Sequence, residues 1–306
     1  MKTCLVAGGA GFIGSWLCKD LIEKGYRVVC LDNMITGHRE NINIDNNNFV
    51  FVNHNVINPI NLEEKIDFIF HLASPASPVH YQKHPVETLL ANSVGTMNLL
   101  TLAEKNNARF LFASSSEVYG DPKEHPQKET YFGNVNPNGP RSCYDEGKRF
   151  GEALVSSFSG VDWRIVRLFN TYGPCMNKND GRVVPNFITQ ALSNKPITIY
   201  GDGKQTRSFC YISDMIKGLE RTMVSDKARG QVINLGNPSE ITMLELADII
   251  IELTGSKSEI IFKDMPVDDP TRRRPDITKA KNLLGWEPNV DIRHGLKSTI
   301  DYFKSK

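Results

Sequence analysis

The sequence lacks several features that would place the protein in a specialised class. No apolar run among its 306 residues approaches the ~20 residues that span a bilayer. The opening residues, MKTCLVAGGAGF, carry no signal-peptide cleavage pattern. No two of the six cysteines have the C-x-x-C spacing, which favours buried thiols over disulfides or a metal site. The histidines show no metal-ligand spacing either, so no metal is expected.

Net charge is also nearly absent. Lysine and arginine number 36 against 35 acidic residues, a formal charge of +1, so no overall field attracts nucleic acid or an anionic membrane. Hydrophobic residues make up 40% of the chain and charged residues 23%, as in an ordinary globular protein. We expect a soluble, cytoplasmic protein that binds neither nucleic acid nor a membrane.

What the first two-thirds of the chain does contain is an alternation of β-rich runs and helical patterns. The predicted strands are Thr3–Ala7, Arg27–Leu31, Asn48–Asn53, Phe68–Leu72, Arg109–Ser114 and Trp163–Leu168. The predicted helices between them are Phe12–Lys24, Val86–Asn106 and Ser142–Phe158. Several strands are continuous Val/Ile/Leu/Phe runs, which is typical of parallel strands buried on both faces. The pattern predicts an α/β fold with a doubly wound parallel sheet.

Beyond about Thr171 the pattern loosens. Gly/Pro turns separate helical segments at Val184–Ser193, Ser213–Val224, Met243–Leu253 and Thr278–Leu284. We predict a nucleotide-binding domain over residues 1–170, with a later return near 208–235. The remainder, mainly 171–306, is predicted to form a smaller C-terminal substrate-binding domain.

Gly8, Gly11 and Gly14 form a GxxGxxG motif between the first strand and the first helix. Glycine permits the tight turn and the close approach of a pyrophosphate, which then lies over the helix N-terminus. Asp32 ends the second strand, close to the ~20-residue spacing expected for an acid that binds an adenine ribose. A carboxylate there favours NAD over NADP, although Arg39 nearby keeps NADP open. The alternative is a glycine turn with no ligand.

Tyr144 and Lys148 are one helical turn apart and share a helix face. By itself this pair is most often a solvated surface. Here the fifth strand runs into SSSEVYG, residues 114–120, and ligand chemistry in open α/β sheets lies at the carboxyl ends of strands. We therefore expect the ammonium, together with the cationic nicotinamide ring of the cofactor, to lower the phenol pKa from ~10. Tyr144 would then take a proton from a substrate hydroxyl as hydride leaves for the cofactor.

These motifs occur in the order typical of the extended short-chain dehydrogenases/reductases: GGAGFIG, Asp32, SSSEVYG, YxxxK and FNTYGP. The chain resembles that family over essentially its full length, which implies a Rossmann-type NAD-binding domain. Three longer segments resemble the UDP-glucuronate decarboxylases, also called UDP-xylose synthases. They are LASPASPVHY from residue 72, EVYGDPKEHPQKETYFGNVNPNGPRSCYDEGK from residue 117 and DDPTRRRPDI from residue 268.

The resemblance implies NAD-dependent decarboxylation of UDP-glucuronate through oxidation at C4, loss of carbon dioxide and re-reduction to UDP-xylose. Ser116 stands where 4,6-dehydratases carry an aspartate, and Glu117 stands where 4-epimerases usually carry a small neutral residue. Those two activities remain the nearest alternatives. A non-catalytic dinucleotide-binding module is the alternative from another functional class.

The same resemblance implies the site residues. Those expected at the reaction are Tyr144, Lys148, Ser115, Ser116, Glu117 and Arg273. Arg273 is expected to hold the substrate carboxylate, and Glu117 either to orient the sugar or to manage the proton at C5. The residues expected around NAD are Gly8, Gly11, Phe12, Ile13, Gly14, Asp32, Asn33, Thr36, Gly37, Asn55, Val56, Leu72, Ala73, Ser74, Asn92, Tyr144 and Lys148. Those expected around UDP-glucuronate are Ser77, Tyr81, Asn170, Arg182, Asn186, Tyr200, Gln205, Arg207 and Arg273.

The family also implies a homodimer, formed by pairing the Val86–Asn106 helix and the catalytic helix. Leu89, Leu90, Val94, Leu99 and Leu100 are apolar candidates for that contact. The sheet also needs covering, so the leucine pattern alone does not decide which of them face a partner.

Overall fold

The computed structural model of the protein describes residues 1–265 and 272–306. Its helices are α1 (Phe12–Glu23), α2 (Pro78–Lys83), α3 (Pro85–Asn92), α4 (Val94–Asn106), α5 (Ser142–Ser157), α6 (Val183–Leu192), α7 (Ile212–Val224), α8 (Met243–Thr254), α9 (Thr278–Leu284) and α10 (Ile292–Lys304). Within these residues no helix is both long and apolar enough to cross a bilayer.

The strands begin with β1 (Thr3–Ala7), β2 (Arg27–Asp32), β3 (Phe49–Asn53), β4 (Phe68–His71), β5 (Arg109–Ser115), β6 (Asp162–Leu168) and β7 (Thr171–Tyr172). They continue with β8 (Ile197–Tyr200), β9 (Thr206–Ser208), β10 (Cys210–Tyr211), β11 (Gln231–Leu235), β12 (Glu240–Thr242), β13 (Ile260–Lys263) and β14 (Arg272–Arg273).

Seven strands form one parallel sheet in the order β3-β2-β1-β4-β5-β6-β11. The predicted fold class is confirmed. Alternate residues of β1 enter two separate cores: Cys4 and Val6 pack on one face of the sheet, Leu5 and Ala7 on the other. Because side chains alternate across a strand, helices must cover both faces, which explains the continuous apolar runs.

The strand order reverses at the boundary between β1 and β4, and ligands of open α/β sheets bind at such a point. The glycine loop follows β1 there, and the Leu72–Ser74 segment follows β4. A side chain at Gly8 would lie 2.7 Å from the backbone nitrogen of Ala73, so only glycine lets these two segments approach. The topology therefore opens a groove along the predicted cofactor loop.

One predicted helix is wrong in its continuity. Val86–Asn106 is divided at Ser93 into α3 and α4. The Ser93 hydroxyl donates to the carbonyl of Leu89 at 2.7 Å, a back-bond that bends helices, and Gly95 follows. The apolar pattern continues through the break, which is why the sequence indicated one helix.

Two helices were not predicted, α2 and α10. The second has Leu296, Ile300 and Phe303 buried on one face, and its N-cap Asp291 accepts from the backbone nitrogen of His294 at 3.0 Å. Outside the main sheet, β9 pairs with β12 and β14, β8 with β13, and β7 with β10. Residues of α6, α8, β8, β9 and β14 line one cavity together with residues at the carboxyl ends of β4, β5 and β6.

Candidate active site

A cavity of about 580 Å³ opens at the carboxyl ends of the strands. A smaller one, about 80 Å³, adjoins it and shares Gly8, Gly11, Thr36, Leu72 and Ser74 as walls. The large cavity is also lined by the predicted residues Phe12, Ile13, Gly14, Ser77, Tyr81, Ser115, Ser116, Glu117, Tyr144, Lys148, Asn170, Arg182, Asn186, Tyr200, Gln205, Arg207 and Arg273. The small cavity is also lined by Asp32, Asn33, Asn55, Val56 and Ala73.

Two predicted cofactor residues line neither cavity, Gly37 and Asn92. A side chain at Gly37 would lie 2.9 Å from Oδ1 of Asp32, so this glycine leaves room for the acid. Asn92 is fully buried and its amide donates to the hydroxyl of Ser74 at 2.9 Å. Both residues therefore pack behind the walls of the groove.

The glycine loop fits a dinucleotide. A side chain at Gly14 would lie 2.1 Å from the carbonyl oxygen of Gly8, so the backbone itself forms the groove floor. Asp32 accepts from the backbone nitrogens of Ala10 at 3.0 Å and Met34 at 2.8 Å, which aims its carboxyl at the small cavity. Burial raises the pKa of Asp32, opposed by these backbone bonds. A carboxylate held in this way suits the two hydroxyls of an adenosine ribose.

A glycine also lets helix α5 pack closely against β5. A side chain at Gly151 would lie 2.4 Å from the ring of Phe112. Two residues further along β5, the Ser114 hydroxyl donates to Glu152 of α5 at 2.5 Å, and Arg167 of β6 pairs with the same carboxylate at 2.7 Å. This packing fixes which face of α5 points at the ends of the strands.

Tyr144 and Lys148 lie on that face, as predicted, but the protein's own groups do not lower the pKa of the phenol. Burial raises the pKa of Tyr144 to about 12, only partly opposed by a hydrogen bond with the hydroxyl of Ser115. Lys148 donates to the carbonyl of Ala113 at 2.7 Å and its pKa is lowered by burial to about 7. The ammonium lies 5.7 Å from the centre of the Tyr144 ring, and burial is the largest influence on the pKa of the phenol. Desolvation of the two buried groups outweighs their mutual effect.

The largest charge cluster in the cavity surrounds Glu117. Its Oε2 accepts from Arg141 at 2.7 Å and its Oε1 accepts from Arg273 in a short bond. Although burial opposes ionisation, the Arg273 and Arg141 guanidiniums hold the pKa of Glu117 at about 2. Arg273 itself is 3% exposed and donates to the carbonyl of Gly120 at 3.0 Å. The carboxylate is therefore ionised throughout the neutral range.

Arg141 was missed by the sequence reasoning. It lies one residue before α5, three before Tyr144, in the segment GPRSCY. One signal was present. Residues three apart on a helix are neighbours on its surface, so the spacing places Arg141 near Tyr144, where Glu117 was also expected. The sequence offered no way to see that Glu117 would be shared between two arginines, because Arg273 arrives from 156 residues away.

Arg273 is carried by β14, which pairs in parallel with β9 in the register Arg273↔Arg207. Paired residues of adjacent strands lie on the same side of a sheet, with the strands ~4.8 Å apart. The two arginines are thus neighbours on one wall of the cavity. The preceding residue, Arg272, is exposed.

Tyr81 of α2 lies against Tyr144. The rings of Tyr81 and Tyr144 stack at 5.2 Å with an interplanar angle of 8°. Further along the cavity, Arg182 pairs with Asp180 at 2.8 Å, and Tyr200 is 44% exposed at the rim. The predicted substrate residues therefore extend from the centre of the cavity to its mouth.

The sequence of the chain is similar to those of several known proteins. The sequence profile described as the NAD dependent epimerase/dehydratase family matches residues 4–236. The chain is 52% identical to UDP-glucuronic acid decarboxylase 4 of Arabidopsis thaliana, over 99% of this chain and 68% of that protein. It is 50% identical to UDP-glucuronic acid decarboxylase 1 of Xenopus tropicalis, over 100% of this chain and 73% of that protein.

Among solved structures, the chain is similar to UDP-glucuronic acid 4-epimerase from Bacillus cereus in complex with UDP-glucuronic acid and NAD. The TM-score is 0.88 at 30% identity, covering 99% of each chain. The likeness therefore extends over both the main sheet and the smaller sheets around the cavity.

Proposed function

The chain belongs to the NAD-dependent epimerase/dehydratase family, and we propose that it decarboxylates UDP-glucuronate to UDP-xylose with NAD as its cofactor. The relatives that are about half identical over the whole chain are named for this decarboxylation. The observation that carries the proposal is the pair Arg141 and Arg273 around Glu117, in the same cavity as Tyr144 and Lys148. Guanidiniums suit a sugar carboxylate, which a neutral hexose lacks.

The two ends of the cavity suit the two ligands. The glycine loop, Asp32 and the smaller cavity would hold NAD. The bound cofactor would supply reversible hydride transfer with C4 of the sugar. Arg207 would hold the diphosphate, and Asn170 lines the cavity beside it. In this assignment NAD is bound mainly by residues 1–170, together with the segment near 208–235 that returns to the first domain. The nucleotide sugar is bound mainly by residues 171–306. The support is that β11, at Gln231–Leu235, completes the main sheet.

The residues around the sugar have distinct roles in the proposed reaction. Tyr144 removes the proton of the C4 hydroxyl, next to the hydroxyls of Ser115 and Ser116. Arg273 holds the carboxylate while the C4 ketone, β to it, accepts the electrons of the breaking C5–C6 bond. Glu117 keeps its negative charge at neutral pH, which supports its role in orienting the sugar and opposes its role as the proton donor at C5.

Product analysis tests the proposal. Purified protein with NAD and UDP-glucuronate is expected to release carbon dioxide and UDP-xylose in equal amounts, with no net reduction of NAD, because the hydride returns to C4. The assay combines trapped carbon dioxide with chromatography of the nucleotide sugars. UDP-glucose is the control substrate: without a carboxylate it is expected to yield neither product. Recovery of a C4 epimer without carbon dioxide would instead make the protein an epimerase, and loss of water from a neutral hexose would make it a dehydratase.

We propose further that the protein is a homodimer. Large apolar side chains are exposed together on α3 and α4, at Val86, Leu89, Val94 and Met97, and Phe150 is exposed on the adjacent α5. By contrast Leu99 and Leu100 are fully buried against the sheet. An exposed patch on adjacent helices suits a two-fold contact.

The dimer has its own test. Phe150→Glu is expected to shift the mass measured by light scattering from dimer to monomer, because it places a charge in the proposed contact. Phe132→Glu is the matched control, since Phe132 is also exposed but lies outside these helices. A monomeric wild-type protein would rule the dimer out.

A further inference from the structure

The proposed reaction needs an acid at C5. When the C5–C6 bond breaks, carbon dioxide leaves and the electron pair is held as an enolate across C4 and C5. A proton must then add to C5 before C4 is reduced again. That proton is distinct from the one Tyr144 takes from the C4 hydroxyl, so a second group facing the cavity has to supply it.

Two charged groups of the cavity are poorly suited. Glu117 carries no proton at neutral pH, since Arg273 and Arg141 hold its pKa at about 2. Lys148 has its ammonium bonded to the carbonyl of Ala113 at 2.7 Å, with Nζ over the ring of Phe112 at 5.0 Å. A proton of the Lys148 ammonium therefore points at the backbone carbonyl of Ala113 near the end of β5.

Tyr81 meets the requirement. Its residue is 1% exposed yet lines the cavity, and its hydroxyl has no hydrogen-bond partner among the described residues. A buried hydroxyl without a partner is costly, so its place on a cavity wall points to a ligand. The charges that act most on this hydroxyl are those of Arg141 and Glu117. The hydroxyl is therefore within electrostatic range of the cluster formed by Arg141 and Glu117.

The positions of the reacting atoms agree with this. C5 lies between C4, which faces Tyr144, and the carboxylate carbon, which Arg273 is proposed to hold. The Tyr81 ring stacks on the Tyr144 ring at 5.2 Å, and Arg273 is bonded to Glu117. A group that stacks on Tyr144 and lies within electrostatic range of the Glu117 cluster is suitably placed to reach C5.

We propose that Tyr81 is the catalytic acid that protonates C5 after decarboxylation, an inference that rests on the proposed function. The O–H bond of Tyr81 breaks, the C5–H bond forms, and the enolate becomes the C4 ketone. The Tyr81 phenolate, beside the Arg141 guanidinium, regains a proton from water when the product leaves. Burial raises the pKa of Tyr81, so the proton is present at every physiological pH.

Tyr81→Phe tests this, because it keeps the stacked ring and removes only the hydroxyl. In a single turnover with carboxyl-labelled UDP-glucuronate, carbon dioxide release is expected at nearly the wild-type rate. Formation of UDP-xylose is expected to fall by about 10²–10⁴-fold, the usual contribution of a general acid. In deuterium oxide the wild-type product is expected to carry deuterium on one face of C5, and the variant to lose that selectivity. Tyr26→Phe, at a half-buried tyrosine packed on Phe68 outside the cavity, is the matched control.

Two results would overturn the proposal. One is a Tyr81→Phe variant that makes UDP-xylose at the wild-type rate with deuterium on the wild-type face. The other is a variant in which carbon dioxide release falls as much as UDP-xylose formation, which would place Tyr81 before decarboxylation. Thermal melting and NAD binding of the variant verify that it folds. Failure of the wild-type protein to release carbon dioxide would instead refute the proposed function, so the two failures are distinguishable.

Discussion

Tyr144→Phe is expected to lower kcat by about 10²–10⁴-fold, the range of a lost general base, while binding of NAD and UDP-glucuronate stays nearly unchanged. The substitution removes the one hydroxyl proposed to take the C4 proton and keeps the ring that stacks on Tyr81. Calorimetric titration with each ligand separates binding from turnover. Tyr131→Phe is the control, because that hydroxyl accepts from the backbone nitrogen of Lys123 and lies outside the cavity lining.

The pKa of Tyr144 adds a second measurement. Burial raises it to about 12, so the phenol is protonated at neutral pH and a further positive charge is needed nearby. The cationic nicotinamide ring of NAD provides that charge. In a spectroscopic titration, the phenolate signal of Tyr144 is identified as the one that is absent from the Tyr144→Phe variant. In the wild-type protein this signal is therefore expected to appear at lower pH with NAD than without it. Equal titration in both conditions, or full activity of the variant, would refute the role of Tyr144.

Asp145→Asn is expected to stabilise the protein at neutral and alkaline pH. Asp145 is 6% exposed, its Oδ1 has no hydrogen-bond partner among the described residues, and burial raises its pKa from 3.8 to about 7. Glu117 opposes ionisation further, while Arg141 and Arg273 favour it. The wild-type protein thus holds a buried carboxyl that resists losing its proton.

The sign follows from the two pKa values. The unfolded chain ionises near 3.8 and the folded protein near 7, so stability falls as pH rises between them, and the loss is complete above 7. The asparagine does not ionise, so its advantage is absent in acid and reaches at most about 4 kcal/mol above neutral pH. This is a large fraction of a typical unfolding free energy of about 5–15 kcal/mol.

Urea unfolding of both proteins at mildly acidic and mildly alkaline pH measures this difference. Asp301→Asn, at an exposed position of α10, is the control and is expected to change nothing. A difference between wild type and Asp145→Asn that does not depend on pH would contradict the explanation. Because Asp145 adjoins Tyr144, a gain in stability accompanied by lower activity would fit the common trade-off at functional sites.

Six of the seven strands of the main sheet were predictable because each is a local apolar run, whereas β11 was covered only by the predicted return near 208–235. Thr3–Ala7 is reproduced to the residue, and the other five predicted strands differ by a residue or so at their ends. The break at Ser93 was not predictable from periodicity, since the apolar pattern continues on both sides of it. The α10 helix was overlooked even though its buried positions follow helical spacing.

Some features of the candidate site were likewise predictable from the sequence and others were not. The glycine loop, Asp32 and the Tyr144–Lys148 pair were recognisable, because their function depends on spacing along one strand or one helical turn. The neutral phenol of Tyr144 was not, because its pKa depends on how much water folding removes around it.

The sequence alone therefore determined the parallel sheet, the nucleotide loop and the types of reactive group, all of which depend on neighbours close along the chain. Only the tertiary structure decided that Arg141 and Arg273 share Glu117 and that Tyr81 covers Tyr144. Charge and burial act through space. A carboxylate whose two partners lie 24 and 156 residues away leaves no periodic trace in the sequence.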